Sequence, residues 1–205
     1  MKSSHLLIVI FSIAVIGFVF YSLSGGPSDE GYTKVILKER DDKDAFMTGD
    51  ESPFIDTTEV FTGLKYFAPD LKYRITANLE EVDSKKVVAL TTSDDKEQKY
   101  LEYAYATFSM DGVDNKLLLL EIMDMGPQRG KLFLAFADAT SANETYGAGR
   151  YLDVKKVPGA TSITLDFNQA YNPYCAYSDT FSCPFPPKEN ILKIVIRAGE
   201  KNYHE

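Results

Sequence analysis

The chain has no tryptophan, two cysteines and two histidines among 205 residues. The histidines, His5 and His204, stand at opposite ends, so no Ser-His or Cys-His couple can be built in the body of the chain. Two cysteines fall short of the four Cys or His ligands of a structural zinc site. Their spacing, Cys175 to Cys183, is also not the C-x-x-C of a thioredoxin-like motif. Basic residues are scarce, 22 Lys and Arg against 30 Asp and Glu. Without a basic stripe, nucleic acid and anionic lipid surfaces are poor partners; the acidity itself reads as solubility. Gly147-Ala148-Gly149 is no nucleotide fingerprint, because Leu152 holds the third glycine position and a strand pattern follows. No cofactor or metal is expected.

One long apolar run is present. Leu6 to Leu23 carries no charge, and as a helix its eighteen residues would span roughly 27 Å, near the hydrocarbon thickness of a bilayer. Lys2 precedes it and Asp29 and Glu30 follow, which places residues 1–5 in the cytoplasm and the rest outside. The expectation is a transmembrane helix or signal anchor over 6–23, a linker over 24–31 and one extracytoplasmic domain over 32–205. A cleaved export signal is the alternative, since Ser22 and Ser24 are small residues at a spacing that signal peptidase reads. No cysteine follows the run, so lipoprotein attachment by that route is excluded.

Beyond Gly25-Gly26-Pro27, residues Tyr32, Val35, Ile36, Glu39, Arg40, Lys43, Phe46 and Met47 recur at helical spacing, predicting an amphipathic helix from about Tyr32 to Met47 that ends near Gly49. Strand patterns then take over. Tyr73, Ile75, Ala77 and Leu79 alternate with polar residues, and Asp111-Gly112 marks a hairpin between Tyr100–Met110 and Lys116–Met123. Leu132–Ala137 is an unbroken apolar run suited to a central strand. With Val87–Thr92, Arg150–Val154, Ser162–Asn168 and Ile191–Arg197 there are about eight strands, predicting a mainly β, antiparallel sandwich or barrel.

One stretch stands apart. Glu144-Thr145-Tyr146-Gly147-Ala148-Gly149-Arg150-Tyr151-Leu152-Asp153 is followed by Leu165-Asp166-Phe167-Asn168-Gln169-Ala170-Tyr171-Asn172-Pro173, then Cys183-Pro184-Phe185-Pro186-Pro187 and Arg197-Ala198-Gly199-Glu200-Lys201. Together with Phe61-Thr62-Gly63-Leu64 upstream, these residues resemble a bacterial family known as domain of unknown function 1684. Ala148 and Tyr174 depart from residues common in that family, Gly and Pro. The resemblance spans about Tyr32 to Lys201 and implies no activity.

The signature holds a polar-aromatic cluster: Tyr146, Arg150, Tyr151, Asp153, Asp166, Asn168, Tyr171, Asn172, Glu189 and Asn190. As a ligand pocket, it would use Arg150 as an anion anchor and the tyrosines as stacking faces. As a buried network, it would pair Arg150 with Asp166 or Asp153 and hold long loops in place. Asp153, Asp166 and Glu189 could also supply a general acid and base, though such sets arise readily in an acidic chain. Cys175 and Cys183 form a disulfide in an oxidising compartment, worth about 2.5 kcal/mol, or remain as two free thiols. Three functions follow: an anchored module that binds a small ligand or envelope component, a scaffold subunit of an envelope assembly, or a carboxylate-dependent hydrolase.

Overall fold

The computed structural model describes residues 29–55, 60–82, 84–123 and 126–204. The apolar segment Leu6–Leu23 lies outside the described residues; among those described, no helix is long and apolar enough to cross a membrane. The chain is first seen in helix α1, Asp29–Met47, which begins inside the expected linker. Asp29 and Glu30 in its first turn complement the helix dipole, and Glu30 pairs with Lys34 one turn on at 2.7 Å. Tyr32, Ile36 and Met47 form the buried face.

Seven strands follow: β1 Arg74–Glu81, β2 Val87–Thr91, β3 Glu97–Met110, β4 Val113–Ile122, β5 Leu132–Phe136, β6 Arg150–Val154 and β7 Ser162–Asp166. They form one antiparallel sheet of order β6-β5-β4-β3-β1-β7, curled into a half-barrel. β2 also pairs with β3 and continues the line of β1 along the same edge. Met110 pairs with Val113 across a two-residue turn in which Asp111 and Gly112 both have positive φ, as the Asp-Gly signal required.

Two expectations are corrected. There is no second sheet among the described residues, and β6 and β7 end the sheet unpaired with each other, so the fold is neither a sandwich nor a closed barrel. The expected eighth strand, Ile191–Arg197, does alternate buried and exposed residues. It runs beside the residues after β5 with only scattered bonds: Leu192 N–H to Ala137 O at 2.8 Å and Ala139 N–H to Ile194 O at 2.9 Å. The Ile196 N–H goes to the Asp138 side chain instead, so no regular ladder forms.

The concave face holds the main core, including Leu117, Leu119, Leu134, Phe136, Leu165 and Phe167, sealed by Ile194, Ile196 and Ala198. The outer face carries a smaller aromatic cluster of Tyr100, Phe133 and Tyr151 with Leu118 and Leu120. β5 is buried on both faces, which explains its unbroken apolar run. Gly149 feeds the chain into β6 at φ +90, where a Cβ would stand 2.6 Å from Phe136 O. Gly149 thus serves a tight backbone approach.

Candidate functional site

The outer face is only partly covered. Between it, α1 and the loop after Ala170 lies a groove of about 850 Å³. α1 contributes Ile36, Arg40, Lys43 and Phe46; the strands contribute Tyr100, Ile122, Phe133 and Tyr151; the loop contributes Tyr171, Tyr174, Phe181 and Cys183. Ile36, Arg40, Lys43 and Met47 are spaced by four, three and four residues, so one helical face reaches the groove.

The rings form a connected wall. Tyr100 stacks on Phe133 at 5.2 Å, Phe133 meets Tyr151 edge-on at 4.7 Å, and Tyr151 meets Tyr171 at 5.9 Å. Their hydroxyls are anchored: Tyr151 donates to Pro184 O at 2.6 Å and Tyr171 to Asp153 at 2.9 Å. Burial is the main cause that pushes both phenols above the ordinary tyrosine range, so they stay protonated at neutral pH.

The charged groups are tied to the protein too. Arg40 donates to Phe67 O at 2.8 Å and lies 4.4 Å over the Tyr66 ring. Lys43 donates to Glu200 at 2.8 Å and sits 4.8 Å over the Tyr171 ring. Glu200, 1% exposed, also accepts from the Asn172 amide at 2.9 Å and from the Tyr177 hydroxyl. It thereby links α1 to the loop. Desolvation, followed by the charge of Glu200, pushes the Tyr177 phenol far up.

The ten residues of the sequence cluster separate into distinct places. Tyr151, Asp153, Asn168 and Tyr171 line the groove. Tyr146 lies behind the loop, its hydroxyl 3.4 Å from Cys175 O. Asp166 accepts the Tyr32 hydroxyl on both oxygens, at 2.7 and 2.9 Å, and is braced by Asn168. With Asp153 and Arg74 it lines a smaller cleft of about 390 Å³ between α1, β6 and β7.

Arg150 is corrected most. It is 1% exposed, lines neither cavity, and pairs at 2.7 Å with Asp138 rather than with Asp153 or Asp166. Its Nη1 and Nη2 groups also donate to the carbonyls of Ile196, Ala198 and Glu200, while its Nε–H is buried without a partner. It holds the last segment over the core and is not an exposed anion anchor. Asn190 is structural in a different way: its amide accepts from Leu118 N–H at 2.6 Å and donates to Leu118 O and Ala135 O. It fills the seam where β4 and β5 part. Glu189 beside it is exposed and lines neither cavity, so the three candidate carboxylates share no cavity. Cys175 and Cys183 are free thiols here.

Asp138, Glu200, Arg40 and Lys43 were not singled out as site residues. The last two left a signal in the helical spacing of one face, Glu200 stands in the family signature, and Asp138 left none.

Against this geometry, a family model described as a protein of unknown function, DUF1684, matches residues 59–201. The chain belongs to the DUF1684 family. The match contains the whole sheet and the loop, while α1, one wall of the groove, lies upstream of it. The chain is similar to an uncharacterised protein from Haloarcula marismortui, solved in solution by NMR. The two are 38% identical with a TM-score of 0.64, over 84% of this chain and 95% of the other. No curated protein matches.

Proposed function

We propose that this DUF1684 domain is a ligand-binding module whose groove takes an elongated, uncharged molecule with a flat or cyclic apolar body. The observation that carries the reading is the connected aromatic wall of Tyr100, Phe133, Tyr151 and Tyr171 along a groove of about 850 Å³. That volume falls in the range of small-molecule sites. Charge selects the class. Arg40 and Lys43 offset Glu39 and Asp153 along the lining, and each of the four already has a partner on the protein. An ionised ligand would find no uncompensated charge there. Lys43 has three N–H groups and Glu200 takes one, which leaves a donor for a carbonyl or ether oxygen.

The same proposal includes the setting: an apolar anchor at Leu6–Leu23 that displays the domain outside a membrane, where it would meet envelope components. The charge rule across the run supports this orientation. The scaffold and hydrolase alternatives gain no comparable support, because Asp166, the buried carboxylate of the candidate set, is taken by Tyr32 and Asn168.

Nile red, a neutral planar dye, tests the groove. Saturable binding of one dye per chain is expected. Phe46→Glu, at a half-exposed helix position on the groove rim, should weaken it about tenfold without lowering the melting temperature. Absence of saturable binding, or equal binding by the variant, would overturn the reading.

A further inference from the structure

The groove reading makes no use of the two thiols of its loop, of which Cys183 lines the groove and Cys175 does not. They lie together: the Cys175 N–H donates to Cys183 Sγ at 3.1 Å, and the Tyr146 hydroxyl stands 3.8 Å from Cys175 Sγ. They differ in access and in freedom. Cys175 is half-buried on the short turn Tyr174–Ala176, whereas Cys183 is 7% exposed. Cys183 is also pinned to the end of β2, its N–H donating to Ser93 Oγ at 3.1 Å and its carbonyl accepting from Ser93 N–H at 2.9 Å. Their acidities diverge as well. The hydrogen bond from Cys183 brings the Cys175 thiol down to about 7, and that bond together with burial pushes Cys183 up. An accessible thiol of low pKa beside a buried one is the division of labour of an attacking and a resolving cysteine.

We propose that Cys175 and Cys183 form a thiol–disulfide exchange site for small aliphatic disulfides, with Cys175 attacking and Cys183 resolving. The Cys175 thiolate attacks one sulfur of the incoming disulfide, and the S–S bond breaks to release one thiolate. Cys183 then loses its proton and attacks the Cys175 sulfur of the mixed disulfide, expelling the second thiolate. The protein dithiol gives up two electrons and two protons, the incoming disulfide becomes two thiols, and one intramolecular S–S bond remains. The product closes a nine-residue loop along the groove.

Oxidised glutathione is the probe. The full chain should lose both titratable thiols and the mass of two hydrogens, retain no glutathione, and melt about 5–10 °C higher. Cys183→Ser should stop at a stable glutathione adduct on Cys175. Cys175→Ser should form no adduct, because the remaining thiol is buried. Thiols of the native chain that resist the probe yet react once it is denatured would overturn the proposal, as would equal labelling of the two variants. The wild-type measurement needs neither variant to fold, and Nile red binding is a separate readout, so this idea and the groove reading fail independently.

Discussion

The two faces of the sheet are finished differently. The concave face is sealed by the chain itself: Ile194, Ile196 and Ala198 lie across Leu117, Leu134 and Phe136, and the buried Arg150–Asp138 pair is braced by the backbone carbonyls of Ile196 and Ala198. On the outer face the rings of Tyr100, Phe133 and Tyr151 are buried too, but α1 and the loop leave a groove beside them. One side of the same strands carries stability, and the other carries an opening that stability does not explain. Polar chemistry divides likewise. The inner pair is a bidentate-capable arginine on a carboxylate, whereas the outer side and its contacts with α1 use tyrosine hydroxyls, among them Tyr32, Tyr151, Tyr171 and Tyr177.

That contrast can be broken from either side. The largest effect should come from pH, acting on the outer layer. The Tyr151, Tyr171 and Tyr177 phenols have folded-state pKa values raised above 10, chiefly by burial. The unfolded chain therefore releases these protons first, so the stability they contribute is present below pH 10 and is lost as pH rises past it. Tyrosinate absorbance and loss of the native fold should appear together in an alkaline titration, and Tyr151→Phe should move the transition to higher pH. Ionisation well before unfolding would show that these phenols are not sealed.

Next, Arg150→Ala strands the Asp138 carboxylate in the concave core and should cost about 3–5 kcal/mol in chemical denaturation. Asn190→Ala unpairs Leu118 and Ala135 backbone groups at the seam and should cost about 3 kcal/mol, with faster amide exchange confined to β4 and β5. Smallest is Tyr174→Ala, which removes an exposed ring from its 5.1 Å contact with Phe181. It should change stability by less than about 1 kcal/mol while weakening Nile red several-fold. A large loss of stability there would mean that the outer face is a core like the other.

Most of this sheet was legible in the sequence because its signals are local. Alternation located β1 and β7, Asp111-Gly112 located the hairpin, and the apolar run of β5 announced a strand covered twice. What could not be read was which distant group each polar residue meets. The sequence offered Arg150 two partners, Asp153 and Asp166, and the choice of Asp138 instead follows from the path of the chain after β5. Glu200 looked like one acid among 30, yet it joins α1 to the loop through Lys43, Asn172 and Tyr177. Four of the ten cluster residues reach the groove. Their neighbours in sequence point inward or into other contacts, because successive residues of β6 face opposite sides of the sheet.

The Asn190 seam has a consequence for how this domain can vary. The loop wall of the groove ends on a side chain that stands in for missing strand pairing deep in the sheet. The final position of the loop is locked to Leu118 and Ala135. An insertion or deletion that shifts Asn190 by one residue opens the β4–β5 seam. Substitutions that spare the Asn190 amide leave that lock in place.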